Sequence, residues 1–277
     1  MATRSSEETR FSEPVRRFRM EVAYDGRGFE GWQSQPGGKT VQDLLLQCLR
    51  GICEEIATIQ GSGRTDAGVS ANGQVAHFDV PMNWKMRGGE WQRALNSSLP
   101  PTIRVLRCEE VASHFHARFS AVEKEYRYDI FVGEVLPPLL HGLAWHQRHL
   151  ATVDEISKVL SVYEGSHDFR AFSANRHDGH DETRDTRRTL TVSEVELAAE
   201  DLLRLRFRGN GFLYKMVRFL VGTAAYQIRE KISRKEVEHL LTGCDPVKKA
   251  PFCAPPDGLS LEGVFYPTVT LNLETSS

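Results

Sequence analysis

A cation and a carboxylate stand two residues apart in the run Gly61-Ser62-Gly63-Arg64-Thr65-Asp66-Ala67-Gly68-Val69-Ser70-Ala71. Arg64 is a guanidinium suited to phosphate or a nucleobase, and Asp66 is a carboxylate that can act as a nucleophile or move a proton. The glycines at 61, 63 and 68 let the backbone approach a bulky ligand and adopt positive φ at little cost. Apolar, strand-like sequence flanks the run at residues 56–59 and 75–80, so the acid is expected on a loop between two strands. An aspartate in a glycine-rich turn most often caps its own backbone. The motif therefore gains meaning only from the elements around it.

Those elements mix both periods. Phe18, Met20, Val22 and Tyr24 alternate with polar residues and predict a strand. A glycine-rich loop, residues 25–33, leads to a helix capped by Thr40, with Val41, Leu44, Leu45, Cys48, Leu49 and Ile52 at helical spacing. A short helix over 90–96 and a strand over 103–111 follow. In the second half the pattern predicts a strand over 125–132, then a helix opened by the capping box Thr152–Glu155. Strands over 190–197 and 202–207, a helix over 212–228, a helix capped by Ser233 and Glu236, and a strand over 261–266 complete it. The stretch 175–185, polar and rich in His and Asp, reads as an exposed loop. The fold class is α+β, divided as a polar arm 1–16, a first unit 17–111 carrying Asp66, and a second unit 112–277.

Composition narrows the function. The 277 residues carry a net charge of −2, so the whole chain has no nucleic-acid signature, but arginines gather locally. Arg16, Arg17 and Arg19 form one group, and Arg184, Arg187 and Arg188 another. Arg204, Arg206 and Arg208 alternate with apolar residues along one strand face, a pattern that suits an anionic partner or a solvated surface. The five cysteines, Cys48, Cys53, Cys108, Cys244 and Cys253, show no CxxC spacing and read as free thiols in a reducing compartment. His114 with His116, and His177 with His180, could begin a metal site, but no further ligands accompany them. No apolar run approaches the length of a membrane span and no secretory leader is evident, so neither membrane nor export is expected.

Several segments together resemble the TruA-type tRNA pseudouridine synthases. They are Tyr24-Asp25-Gly26, Gly31-Trp32-Gln33, Gly63-Arg64-Thr65-Asp66-Ala67-Gly68-Val69, Gly73-Gln74-Val75, and Leu95-Asn96 with Leu99-Pro100. Further along come Phe115-His116-Ala117-Arg118-Phe119, Lys124-Glu125-Tyr126-Arg127-Tyr128, the run from Gly211 to Arg218, and Ala254-Pro255 with Gly258-Leu259. They fall in family order. Ser70, where the family often has His, and Lys215, where a neutral polar residue is common, depart from it.

The resemblance implies two ferredoxin-like α+β subdomains with sheets joined across an RNA-binding cleft, the pseudouridine synthase fold. It implies a homodimer that isomerises uridine to pseudouridine in the anticodon stem-loop of tRNA, without metal or cofactor; the free thiols, with no export expected, place it in the cytoplasm. That reaction breaks a C–N glycosidic bond, turns the base and forms a C–C bond at the same sugar carbon, with water kept away. The resemblance gives Asp66 the nucleophilic role. Its target is the sugar C1′ or the base C6, or it helps remove a sugar proton. Arg218 would hold that carboxylate ionised. Independently of the resemblance, Arg218 aligns with the apolar residues Leu213, Met216, Val217 and Leu220, where a guanidinium needs a carboxylate or must snorkel off the helix edge. Arg64 would fill the space left by the flipped nucleotide. Tyr126 would stack on the base and exchange a proton, and Leu259 (or Leu261) would close the pocket. Phe115, His116, Ala117, Arg118 and Phe119 would contact RNA, with His116 and Arg118 on one face if the segment is extended. Arg184, Arg187 and Arg188 would grip phosphates. Alternatives are a catalytically silent RNA-binding protein, which should lack Asp66 or Arg218, and a synthase acting on another RNA.

Overall fold

The structure is a computed structural model that describes residues 14–267 apart from 177, 178, 180–182 and 246. Part of the expected 175–185 loop, with His177 and His180, lies outside the described residues. The first half contains β1 (Val15–Tyr24), α1 (Val41–Ile52), β2 (Gln60–Gly61), β3 (Ser70–Pro81), α2 (Gly88–Ser98) and β4 (Ile103–Val111). The second contains β5 (Glu123–Phe131), β6 (Trp145–His146), α3 (Val153–Leu160), β7 (Gly165–Asp168), β8 (Arg187–Ala199), β9 (Leu202–Gly209), α4 (Met216–Ile228), α5 (Arg234–Leu240) and β10 (Leu259–Phe265).

All strands join one sheet, in the order β4-β1-β3-β10-β5-β9-β8-β7, with β2 on β3 and β6 on β5. The last strand is the link. β10 pairs in parallel with β3 (Ser260↔Ser70, Leu261↔Ala71) and antiparallel with β5 (Leu259↔Tyr128, Leu261↔Tyr126). This is the α+β fold with joined sheets that the sequence led us to expect.

One sheet face carries the core. Phe18, Met20, Val22 and Tyr24 of β1 are buried there, with Phe78 and the α2 residue Trp91 stacked around Phe18. Tyr126, Tyr128, Leu205 and Phe207 continue the same face under the apolar α4. The caps are those expected. Thr40 accepts from Asp43 N, and the Thr152–Glu155 and Ser233–Glu236 boxes are formed, satisfying amides that the first helical turn leaves open.

The opposite face is a lattice of ion pairs. Arg17 meets Asp79 at 2.7 Å, Arg19 meets Glu109 at 2.7 Å, Arg204 meets Asp129 at 3.0 Å, and Arg208 meets Glu123 at 2.7 Å. Arg206 bridges Glu125 at 3.4 Å and Glu194 at 2.6 Å. This corrects the expectation that the 204–208 stripe suits an anionic partner. Period-two spacing did place its arginines together, but register sets carboxylates of β5 and β8 beside them. Arg16, which pairs with Glu110, and its neighbours Arg17 and Arg19 are engaged in the same way.

Three segments differ from the sequence-based expectation. No strand forms over 56–59; β2 is only Gln60–Gly61. There the backbone carbonyls are taken by side chains. Arg50 donates to Ile56 and Ala57 and Gln42 donates to Ile59, so the apolar residues sink into the core without a ladder. The segment 115–119 is a turn, with Ser120 N bonded to His116 O at 2.9 Å, so His116 and Arg118 do not share a strand face. The α4 helix begins at Met216 rather than 212, because Gly211 (φ 156°) and Lys215 (φ 60°) leave the helical region.

The 115–119 turn depends on a neutral histidine. His77 Nδ1 accepts from Ala117 N at 3.1 Å, and Tyr266 Oη donates to Ala117 O at 2.6 Å. Burial lowers the His77 pKa from 6.5 to about 3, helped by the charge of Arg17 and by His116. The unfolded chain takes up this proton first, so the contribution to stability is complete above pH 6.5 and drains away as pH falls toward 3. We expect denaturant-measured stability to fall between pH 7 and 5 by up to about 1.4 kcal/mol per pH unit from this group. His77→Gln should flatten that slope, and an equal slope in the variant would remove His77 as its source.

Candidate active site

The loop bearing Asp66 is clamped along its length. Ser62 N bonds to Val75 O at 2.7 Å, and Ser62 Oγ to Gln74 Oε1 at 2.7 Å. Gln74 Nε2 donates to Gly63 O at 3.0 Å. The buried Tyr24 hydroxyl pairs with Thr65 Oγ1 at 2.8 Å, Trp32 N donates to Thr65 O at 3.2 Å, and Gly68 N to Phe29 O at 3.3 Å. Thr65 thus points inward, and its neighbours Arg64 and Asp66 are presented elsewhere. Gly31 makes the clamp possible. It sits at φ 96°, and a Cβ there would lie 2.6 Å from Thr65 O. The glycine-rich stretch at 25–33 is therefore the seat of the Asp66 loop. Ser70, one of the departures noted above, accepts from Gly26 N at 3.0 Å within this contact.

The second half delivers the partner. Arg218 lies in the first turn of α4, and its Nη1 donates to Asp66 Oδ2 at 2.8 Å. Its Nε donates to Ala254 O at 2.7 Å, and Ala254 N returns a bond to Arg218 O at 3.0 Å. Gly222, one turn on, lets residues 252–254 lie against the helix; a Cβ there would meet Phe252 O at 2.2 Å. Tyr128 Oη holds Pro255 O at 2.9 Å. The Asp66 and Arg218 side chains keep only 15% and 13% of their exposure, a sheltered pair still open on one side.

The other expected residues divide by exposure. Tyr126 is buried, packed edge-on to Phe212 with ring centroids 4.9 Å apart. Burial pushes its phenol pKa up, with Tyr24 and the Asp66 charge adding to the effect. It is therefore protonated at neutral pH and can donate a hydrogen bond; it is no base there. Leu259 is buried at the start of β10 on the same face, and Leu261 sits directly across from Tyr126. Arg64 is exposed and donates to Gln33 Oε1 at 3.1 Å.

In the 115–119 turn, Phe115 and Ala117 are fully buried, so their side chains hold the turn rather than face a ligand; Phe115 packs on His77 and Tyr266. Arg118 and the exposed Phe119 face outward, the guanidinium 5.5 Å from the Phe119 ring centre, and His116 stacks on Phe119 at 4.3 Å. Arg187 is exposed at the start of β8, Arg188 is partly buried, and Arg184 lines a cavity of about 30 Å³ with Arg170, Tyr214 and Lys249. Sequence reasoning gave no role to Tyr24, Lys124 or the Ala254 carbonyl. Tyr24 and Lys124 lay inside quoted motifs, but only the fold shows what they touch. Among the described residues, no three His, Cys, Asp or Glu side chains converge as metal ligands.

Comparison with known proteins decides the family. The sequence model described as tRNA pseudouridine synthase matches residues 20–120 and 159–267. This chain belongs to that family. A tRNA pseudouridine synthase A from Akkermansia muciniphila is 46% identical over 259 residues, covering 92% of this chain and 96% of that one. Proteins of the same name from Bacillus pumilus (40% identical, 88% and 97% covered) and Ruminiclostridium cellulolyticum (36%, 91% and 100%) are also similar. Among solved structures, a Cbf5–Nop10–Gar1 complex overlaps 75% of this chain and 44% of that one at 15% identity and a TM-score of 0.35, too loosely to carry an argument.

Replacing Gly31 by alanine tests the clamp. The added Cβ meets Thr65 O in a backbone conformation unfavourable to alanine, at a cost of about 1–3 kcal/mol. We expect a lower unfolding temperature together with slowed turnover on tRNA. Full activity in Gly31→Ala would show that the loop position tolerates displacement.

Proposed function

We propose that this protein converts uridine to pseudouridine in the anticodon stem-loop of tRNA, with Asp66 as the group that acts on the nucleotide. The observation that carries the reading is the 2.8 Å contact between Asp66 and Arg218 in a sheltered site of a tRNA pseudouridine synthase family member. The guanidinium supplies the counter-charge of the carboxylate and fixes its orientation toward the open side of the site. Fastening Arg218 to Ala254 O as well keeps its charge from wandering into solvent.

A uridine reaches Asp66 only by leaving its stack. Arg64, exposed beside the acid, is suited to enter the vacated space and meet the backbone. The flipped base would rest on Tyr126, whose protonated phenol can donate to it, against the apolar wall that includes Leu259. His116, Arg118 and Phe119 would contact RNA from one side, with Phe115 and Ala117 fixing the turn beneath them. Arg184, Arg187 and Arg188 would hold phosphates from the other, positioning the substrate by shape. The chemistry needs neither metal nor cofactor. The division into 17–111 and 112–277 assigns the acid to one unit and its guanidinium to the other. A homodimer rests on the family likeness and a cytoplasmic setting on the free thiols; among the described residues no helix is long and apolar enough to cross a membrane. A silent RNA-binding protein has no need of the Asp66–Arg218 pair, and its presence favours the enzyme.

Incubation with an unmodified tRNA transcript, followed by mapping of pseudouridine, tests this. We expect product in the anticodon stem-loop with the intact protein and none with Asp66→Ala, while RNA binding survives. Full turnover by Asp66→Ala would remove it as the reacting group. Arg218→Ala leaves the acid without its counter-charge and should slow turnover by roughly 10²–10³-fold, about 3–4 kcal/mol of barrier, with binding largely kept. Unaltered kinetics in that variant would reject the pairing role.

A further inference from the structure

Lys124 lies on β5 two residues before Tyr126 and on the same strand face. Its ammonium donates to the carbonyl of Ser62, at the base of the Asp66 loop. It also occupies the space that a side chain at position 63 would need, since a Cβ on Gly63 would stand 2.9 Å from Nζ. Gly63 is not among the glycines at positive φ, so the backbone does not demand glycine there. The lysine does.

Burial lowers the pKa of this ammonium to about 8, helped by the charges of Arg118, Arg176 and Arg188 from three separate segments. No carboxylate pairs with Lys124 among the described residues, and Ser62 O is the single acceptor of its three protons there. The acids beside it in the chain are committed elsewhere. Glu123 and Glu125, its neighbours on β5, pair with Arg208 and Arg206 on the opposite sheet face. Arg188 has only Asp185, at 4.0 Å, and Arg118 lies over the Phe119 ring.

Among the described residues Lys124 and Arg118 have no carboxylate partner and Arg188 has one only at 4.0 Å, and crowding these three like charges costs free energy that a bound anion would relieve. The ammonium is a point charge with two protons unused, which suits a phosphate oxygen. We propose that Lys124, with Arg118 and Arg188, seats one RNA phosphate adjoining the nucleotide that enters the Asp66 site, and that residue 63 is glycine to leave the ammonium its place. The proposal rests on the RNA substrate reading above, but not on the chemistry of Asp66.

The test is therefore made in the Asp66→Ala background, where only binding is read. The affinity for an unmodified tRNA transcript is measured across a salt series for that protein and for the same protein carrying Lys124→Met or Gly63→Ala. Removing one phosphate contact should reduce the slope of log Kd against log salt by roughly 0.7–0.9 and weaken low-salt binding several-fold in Lys124→Met. Gly63→Ala keeps the charge but displaces it, and should weaken binding in the same direction with little change in thermal unfolding. Unchanged affinity and slope in Lys124→Met overturns the seat. Weaker binding at an unchanged slope does so too, because it assigns Lys124 only to holding the Ser62 carbonyl. Should Lys124→Met fail to fold, unchanged affinity in Gly63→Ala overturns the proposal. Failure of the parent protein to bind tRNA rejects the substrate reading and the seat with it, an outcome distinct from tRNA binding that ignores Lys124.

Discussion

A carboxylate from the first half and a guanidinium from the second meet at 2.8 Å, and much of the molecule exists to make that meeting possible. Asp66 sits on a loop that cannot move freely, because Tyr24, Trp32, Phe29 and Gln74 hold it from several sides. Arg218 is fixed by its place in the first turn of α4 and by the Ala254 carbonyl. Both positions are referred to one sheet, which β10 makes continuous by pairing with β3 on one edge and β5 on the other. Were the halves joined only by a flexible linker, the pair would have to pay for its own ordering at each encounter.

The two faces of that sheet treat charge in opposite ways. On the back, arginines from β1 and β9 find carboxylates on neighbouring strands, so the charges there answer one another. On the front, Lys124, Arg118 and Arg188 gather beside the Asp66 loop with little acid to answer them. Composition alone hides this difference. A net charge of −2 says nothing of where the paired and the crowded charges lie.

Where the chain's own periodicity governs, the fold was legible. The capping boxes at Thr152 and Ser233, the helix from Thr40 and the strand over 103–111 form as their local patterns dictate. Legibility failed where distant groups intervened. Residues 56–59 are largely apolar and read like a strand, yet Arg50 and Gln42 take carbonyls there and no ladder forms. Residues 115–119 would present His116 and Arg118 together if extended, but the hydrogen bonds that Ala117 gives to His77 and takes from Tyr266 fold them into a turn. The arginines at 204–208 share the face that their spacing implies; what they meet there was decided by strand register.

The sequence by itself determined which residues could do the chemistry, because glycines, a carboxylate and an apolar helix bearing one arginine are local facts written in residue type and spacing. It also determined most helices and strands, since capping and amphipathic period act over a few residues. Only the tertiary structure decided which charges neutralise one another and which remain to meet a ligand. That choice depends on register and on contacts between residues far apart in the chain, such as the 152 positions that separate Asp66 from Arg218. No local pattern encodes such a distance.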